Sequence, residues 1–422
     1  ITREVAAIAA SRGVDVFWAY CQSHTSEVPF GAATELLRSF FGVVGQPPER
    51  ARAATRSALP TADHEDLRLL DEMLGIGGEQ PAAIDIDPDA RKRRLTALLD
   101  SALLSRRDPA VYVVEDAHWI DGVSEAMLSD FLAAVSGSAA LVLITHRPEY
   151  AGELTSTAIS TIRLGPLDDD TSSELVNTLL GTDPSVTELS RRIVERAAGN
   201  PFFLEEIVRD LAERRVLEGV RGAYTLVGGA DVAVPATVQA TIAARIDRLG
   251  PAAKRTLNAA AVIGSPFSHD LLASVLDEVA VAELTDAELI AQVTAQPVQY
   301  AFRHPLMHAV AYEAQLRSGR AALHREIAAA IERTEAATGT ANSALIATHL
   351  EAAGDLRAAF ERHMEAGTAA THRDINAARM SWQRAVAVAD RLPETHPGRT
   401  AMRIAPRTLL CATVWRVGGG LS

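Results

Sequence analysis

The hydrophobic pattern of this chain changes period several times, and the changes mark its elements. Ile1, Val5, Ile8 and Ala9 recur at helical spacing with Gly13 behind them as a C-cap, which predicts a helix over 1–12 that opens in mid-pattern. Val14 to Tyr20 is dense in branched and aromatic residues and predicts a strand, and Phe30 to Phe41, with Pro29 near its start, an amphipathic helix. Residues 45–89 are rich in Gly, Pro, Ala and Asp and predict short helices in a variable excursion, whereas Pro88 to Ser105 predicts one long helix. The most compact apolar run follows. Val111-Tyr112-Val113-Val114, between the breaker pair Asp108-Pro109 and the acids Glu115-Asp116, predicts a fully buried parallel strand with an acidic tip. Val123 to Val135 then predicts a helix, Ala139 to Thr145 a second buried strand ending in His146-Arg147-Pro148, and Ser160 to Leu164 a last strand. Strands alternating with helices in this way predict an α/β unit, a parallel sheet with helices on both faces.

Beyond Leu167 the pattern is mostly helical. Asp168-Asp169-Asp170 leads a helix with acids at its positive end. Helices are expected at 186–198 and 202–216, punctuated by Gly199-Asn200-Pro201, and again at 238–249, 251–261 and 268–276, before a strand-like stretch ending Val298-Gln299-Tyr300-Ala301-Phe302. Three short helices and a wing are what a winged helix requires. From Ala321 paired helices (344–353, 356–370, 375–390) resemble the start of a tetratricopeptide-like solenoid, with one or two repeats visible. Thr408 to Ser422, with Gly418-Gly419-Gly420, reads as a cut array, and an uncapped end of that kind is expected to self-associate or to be marginally stable.

Composition narrows the function classes. A chain of 422 residues with 48% hydrophobic content is long enough for two to four packed domains. It has no run near the roughly 20 apolar residues that span a bilayer, and its amino terminus lacks a secretion-signal layout, so no membrane partner and a cytoplasmic location are expected. Cys21 and Cys411 are too few for a disulfide framework and are expected to be buried, reduced thiols. Asp plus Glu exceed Lys plus Arg by 54 to 41, a net charge of -13, which opposes attraction to nucleic-acid backbones. The winged-helix stretch offers only Arg245, Arg248, Lys254 and Arg255, with Asp247 among them, so direct nucleic-acid binding is not expected. Arg91-Lys92-Arg93-Arg94 is expected to be a solvated helical face.

Ligands of open α/β sheets bind beyond the carboxyl ends of the strands, so Glu115 and Asp116 face the binding crevice. In P-loop hydrolases two acids at such a tip hold magnesium through water and polarise the attacking water, which points to a nucleoside triphosphate. Arg147, just past the neighbouring strand, is placed to report a γ-phosphate by bidentate hydrogen bonding. His118 and Trp119 read as packing residues beneath the site. The chain has no Gly-x-Ser-x-Gly elbow, His-Glu-x-x-His pair or Cys/His cluster, and His304 with His308 is too thin a signal to argue a metal.

Three segments stand in one order and spacing: Glu115-Asp116-Ala117-His118-Trp119-Ile120-Asp121, Ile144-Thr145-His146-Arg147-Pro148-Glu149 and Gly199-Asn200-Pro201-Phe202-Phe203-Leu204-Glu205-Glu206. Together they resemble the AAA-like regulatory ATPase module of the STAND class, as found in bacterial LuxR-type regulators and in proteins joined to class III nucleotidyl cyclases. The resemblance implies ATP and Mg2+ as ligands. Glu115 would take the magnesium position of a Walker B pair, through water, and Asp116 would orient water. Arg147 would be the sensor arginine, Gly199 and Pro201 would form a Gly-x-Pro motif near the adenine, and His304, in Phe302-Arg303-His304-Pro305-Leu306, would reach a phosphate. It divides the chain into an NTPase core (1–181), a helical linker domain (182–225), a winged-helix-like domain (226–318) and TPR-like repeats (319–422). It also implies a protein or small-molecule inducer on the repeats, a flanking cyclase or DNA-binding effector domain, and a nucleotide-dependent oligomer.

The chain departs from that family at the phosphate loop. Gly-x-x-x-x-Gly-Lys-Ser/Thr cradles phosphates with backbone amides, neutralises them with Lys and binds magnesium with the hydroxyl. Lys92 follows Arg91, Lys254 follows Ala253, and Gly75-Ile76-Gly77-Gly78 has no lysine behind it. The loop is expected immediately upstream of Ile1, which leaves the sheet incomplete and predicts poor ATP binding by this chain. Two rival readings are a scaffold with a degenerate nucleotide site and a regulator acting directly on DNA.

Overall fold

The computed structural model describes residues 1–22, 25–77, 86–135, 138–155, 160–227, 234–295, 297–338, 342–371 and 373–414. Helix α1 (Thr2–Ser11) leads into β1 (Asp15–Tyr20), followed by α2 (Gly31–Phe40), α3 (Pro48–Ala58), α4 (His64–Met73), α5 (Pro88–Ser105), β2 (Ala110–Glu115), α6 (Gly122–Val135) and β3 (Ala140–Ile144). The strands form a parallel sheet in the order β1-β2-β3, with Tyr20 level with Glu115 and Val114 level with Ile144. The apolar run 111–114 is therefore the central strand. Tyr112 and Val114 pack with Phe17, Leu36, Leu99 and Phe131 beneath α2, α5 and α6, while Val111 and Val113 meet Ala9 of α1 on the opposite face.

Two expectations fail here for physical reasons. Ser160 to Leu164 forms no strand, and Ile162 and Leu164 are 83% and 73% exposed. A strand exists only as part of a ladder, and no described residue offers this segment one; β3 forms the sheet's described edge, with Leu141 47% exposed. The run Arg91 to Arg94 is not a uniformly solvated face either. Arg91 is buried against Glu72 at 2.5 Å, and Arg94 bonds Glu65 and Asp66 of α4.

The helices α7 (Asp169–Leu180), α8 (Thr187–Ala197) and α9 (Pro201–Glu213) share one core of Val176, Leu180, Ile193, Leu204 and Leu211. A hairpin closes it, β4 (Leu217–Val220) with β5 (Ala223–Leu226), whose two-residue turn uses Gly222 at positive φ. The next unit contains α10 (Val238–Asp247), α11 (Pro251–Ile263), β6 (Phe267–Ser268), α12 (His269–Val275), α13 (Val281–Asp286), β7 (Ile290–Ala295), β8 (Val298–Phe302) and α14 (Pro305–Glu313). Its antiparallel sheet runs β6-β8-β7.

The carboxyl-terminal third is helical. Helices α15 (Arg317–Thr338), α16 (Ser343–Ala353), α17 (Leu356–Ala370), α18 (Ile375–Arg391) and α19 (Arg399–Ala412) each pack on the next. Gly367 allows α17 to approach the buried Trp382, since a Cβ there would lie 2.3 Å from the indole nitrogen. The expected cut end is α19 as far as it is described, and Gly418-Gly419-Gly420 lies outside the described residues. Cys21 is buried as expected, but Cys411, on the outer helix, is exposed. Among the described residues no helix is long and apolar enough to cross a membrane.

Candidate functional site

The parallel sheet places three strand ends side by side, Tyr20-Cys21, Glu115-Asp116 and Thr145-His146-Arg147. The ladder continues one residue past β1 and past β3, with the Cys21 N–H donating to the Glu115 carbonyl at 2.9 Å and the Thr145 N–H to that of Val114 at 3.0 Å. Asp116 then turns out of the sheet at φ 56°, a left-handed conformation that few residues other than glycine adopt and that Asp tolerates better than most. Thr145 holds that turn twice. Its Oγ1 accepts the Asp116 N–H at 2.8 Å, and its carbonyl accepts the Ala117 N–H at 2.8 Å.

Charge around the tip is unevenly shared. Glu115 accepts a 2.6 Å hydrogen bond from the Thr2 hydroxyl, so the first turn of α1 stands over the acids. Burial raises the pKa of Asp116, an effect opposed by the positive fields of His118 and Arg147. His118 is held below the ordinary histidine range by burial, and both its ring nitrogens are buried without a hydrogen-bond partner among the described residues. Its ring lies against that of Trp119, centroids 5.2 Å apart, and Trp119, expected to pack beneath the site, is 39% exposed. Arg147 is exposed, and its guanidinium interacts electrostatically with Asp116 and His118.

A residue that the sequence pattern did not single out anchors the segment behind the tip. Asp121 is buried and accepts the Ser124 N–H at 2.8 Å, capping α6, and the Phe30 N–H at 3.1 Å, fixing the start of α2. The spacing Asp121-Gly122-Val123-Ser124 is an N-cap signal and was legible. Thr145 and Thr2 were not, because their roles depend on register and docking.

Gly199, Pro201 and His304 form a second group. Gly199, at φ 76°, lies where a Cβ would meet the Leu167 carbonyl at 2.3 Å, and its own carbonyl accepts the Leu167 N–H at 2.8 Å. Asn200 caps α9 through the Phe203 N–H at 3.1 Å, and Pro201 opens that helix with its ring exposed. Phe202 stacks flat on His304, with ring centroids 3.8 Å apart. The His304 Nδ1 accepts the Leu306 N–H at 3.0 Å, and burial, aided by Arg3, lowers its pKa to about 4, so it is neutral at pH 7. The two groups meet at α1, where Thr2 binds Glu115 and the Arg3 guanidinium donates to the Phe302 carbonyl at 3.5 Å.

Two carboxylates stand on a rigid strand end, beside buried imidazole nitrogens that a ligand or water would satisfy. No cluster of three or more His, Cys, Asp or Glu that could hold a metal occurs among the described residues. The lysine that would neutralise phosphates is not among this chain's residues at the tip. Lys92 pairs with Asp130 at 3.3 Å and Lys254 with Asp247 at 2.6 Å.

Residues 1–144 match the family described as AAA ATPase domain, and residues 168–219 match a domain of unknown function. An uncharacterised protein of Rhizobium meliloti (strain 1021) is 28% identical over 284 residues, 64% of this chain and 27% of its own length. The chain thus spans about a quarter of the curated relative it matches. Among solved structures, a signal transduction ATPase with numerous domains from Pyrococcus horikoshii, which carries a tetratricopeptide repeat sensor, aligns over 99% of this chain and 62% of its own, at 11% identity and a TM-score of 0.42.

Proposed function

We propose that this chain is the nucleotide-switched part of a STAND-type signalling ATPase, with Glu115 and Asp116 at the magnesium and γ-phosphate end of bound ATP. The observation that carries the reading is the left-handed Asp116, held by Thr145 and followed by His118, whose ring nitrogens have no hydrogen-bond partner among the described residues. Backbone strain of this kind, held by surrounding hydrogen bonds, is characteristic of sites that need a fixed side-chain direction. Magnesium would supply charge neutralisation at the phosphates. Glu115 would hold its water shell, Asp116 would accept a proton from the attacking water, and Arg147, free to swing, would bind the γ-phosphate. Gly199 and Pro201 would border the base, and neutral His304 would approach the phosphates from the unit that follows.

The unit between Val238 and Glu313 is read as a winged helix that grips the nucleotide domain. Its cations are engaged within the fold: Arg245 with Glu206 and Glu213, Arg248 with Asp210 and Glu213, Lys254 with Asp247, and Arg255 with Glu278. That pairing supports a structural clamp over a DNA-reading face. The helices from α15 onward are read as tetratricopeptide-like repeats receiving an inducer, and a cyclase or transcriptional output as the work of a flanking domain. The scaffold reading has one observation in its favour, that both lysines are committed elsewhere.

The test is equilibrium binding of a fluorescent ATP analogue with magnesium, to this chain and to the same chain with a strand and a Gly-x-x-x-x-Gly-Lys-Ser/Thr loop grafted ahead of Ile1. Charge-assisted contacts to the phosphates predict binding at least about a hundredfold tighter in the grafted form, lost on Asp116→Ala. Equal, weak binding by both forms would favour the scaffold.

A further inference from the structure

A cavity lies at the joint between helices α2, α4, α5 and α6 and the carboxyl-terminal helices. Its volume is about 480 Å³, within the range of small-molecule sites. The apolar wall includes Met73, Leu95 and Met127 from α4, α5 and α6, and Leu345 from α16 on the repeat side. Four cationic side chains line it, Arg38, Arg91, Lys92 and Arg373, against two carboxylates, Glu72 and Asp374. In a chain of net charge -13 a surplus of cations around one cavity is an exception.

The anions present are already committed. Glu72 is shared between the guanidinium groups of Arg91 and Arg373, Asp374 caps α18 by accepting the Ala377 N–H at 2.9 Å, and Lys92 reaches out to Asp130. Arg38, in the last turn of α2, is left over. Among the described residues no carboxylate faces its half-buried guanidinium and no acceptor meets its buried Nε, and burial alone depresses its pKa. The dipole at the end of α2 favours a cation there, but a guanidinium serving only that purpose would keep its donors in water. A charge drawn out of water without a counter-charge is costly, and an anionic ligand in the cavity offsets that cost.

We propose that this cavity binds a small amphipathic carboxylate, its carboxyl group paired with Arg38 and its apolar body against Met73, Leu95, Met127 and Leu345. The site joins the two halves of the molecule, since Arg373 and Leu345 come from the repeats and Arg38 from the nucleotide domain. It also adjoins the acidic tip, because Phe30, Gly31, Gly122 and Val123 line it and Asp121 ties Phe30 to the start of α6. A ligand here would set how firmly the repeats dock on the core. The inference uses no part of the nucleotide assignment and stands or falls separately from it.

The test is calorimetric titration of the full 422-residue chain with a series of ω-phenylalkanoates and the matching neutral ω-phenylalkanols. Saturable binding is expected at one chain length, the carboxylate about tenfold or more tighter than the alcohol, as a charge-assisted hydrogen bond in a partly buried site implies. Arg38→Met should abolish that preference while leaving the alcohol's affinity, and Arg38→Lys should restore part of it. Ala126→Phe, which fills the cavity from α6, should remove binding of both series without touching Arg38. Absence of saturable binding in either series, or a carboxylate preference that survives Arg38→Met, would overturn the proposal.

Discussion

Glu35 lies on α2 with its carboxylate accepting the Tyr20 N–H at 3.0 Å, and burial pushes its pKa up from 4.5 to about 7. The folded state therefore holds a proton that the unfolded chain releases earlier, so the stability contributed by neutral Glu35 is full below about pH 4.5 and is lost as pH rises through about 7. Denaturation midpoints of wild type should fall across that window relative to Glu35→Gln, and above it the variant should be the more stable; parallel profiles would contradict the assignment. Thr145 provides a second check. Thr145→Val keeps the shape of the side chain but leaves the Asp116 N–H without its acceptor, for an expected loss of about 1–3 kcal/mol in urea unfolding that Thr145→Ser should largely avoid. An unchanged midpoint for the valine variant would mean that the turn at Asp116 is held by something else.

At the scale of elements, the strongest coupling is the ion-pair network between α9 and α10. Arg245 and Glu206 are both buried and bonded to each other, and Arg245 Nε also reaches Glu213 at 2.9 Å. Arg245→Leu leaves the buried Glu206 carboxylate with Arg209, at 2.7 Å, as its remaining ion-pair partner among the described residues and should cost up to about 3–5 kcal/mol, whereas Arg245→Leu with Glu206→Leu should recover part of it; equal losses in the two would argue against burial as the cause. None of this network was legible in the sequence, where Arg245 and Arg248 read as surface cations of a short helix. Pairs 32 to 39 residues apart depend on how helices dock, and the residue pattern carries only each helix's own apolar face. What the pattern did carry was local: β2 from its branched run, α9 from Asn200-Pro201, and α5, α17 and α18 from their periodicity. Ser160 to Leu164 misled because β-rich composition records a preference for a pleated surface and says nothing of whether a partner strand stands beside it. The acidic tip was legible as a pair of carboxylates, but the left-handed turn that aims Asp116 was not.

At the scale of the whole molecule, the parallel-sheet unit, the β6-β8-β7 unit and the carboxyl-terminal helices touch one another at several points. Gln22 accepts the Ser265 N–H at 2.7 Å, Arg384 joins Glu27 to Glu351, and Gly45 packs so tightly against Pro297 that a Cβ would lie 1.9 Å from its ring. Gly45→Val should lever the β7–β8 tip off the core and enlarge the radius of gyration in small-angle scattering; an unchanged value would show that the hairpin's position does not depend on this contact. The central claim, that Glu115 and Asp116 hold the metal end of a nucleoside triphosphate, is tested most directly by paramagnetic broadening with manganese-loaded ATP, which reports even weak occupancy. The account predicts that broadening of NMR signals centres on Asp116, His118, Thr145 and Arg147 and vanishes in Asp116→Asn. Broadening elsewhere in the fold, or of equal strength at these residues in the variant, would contradict it.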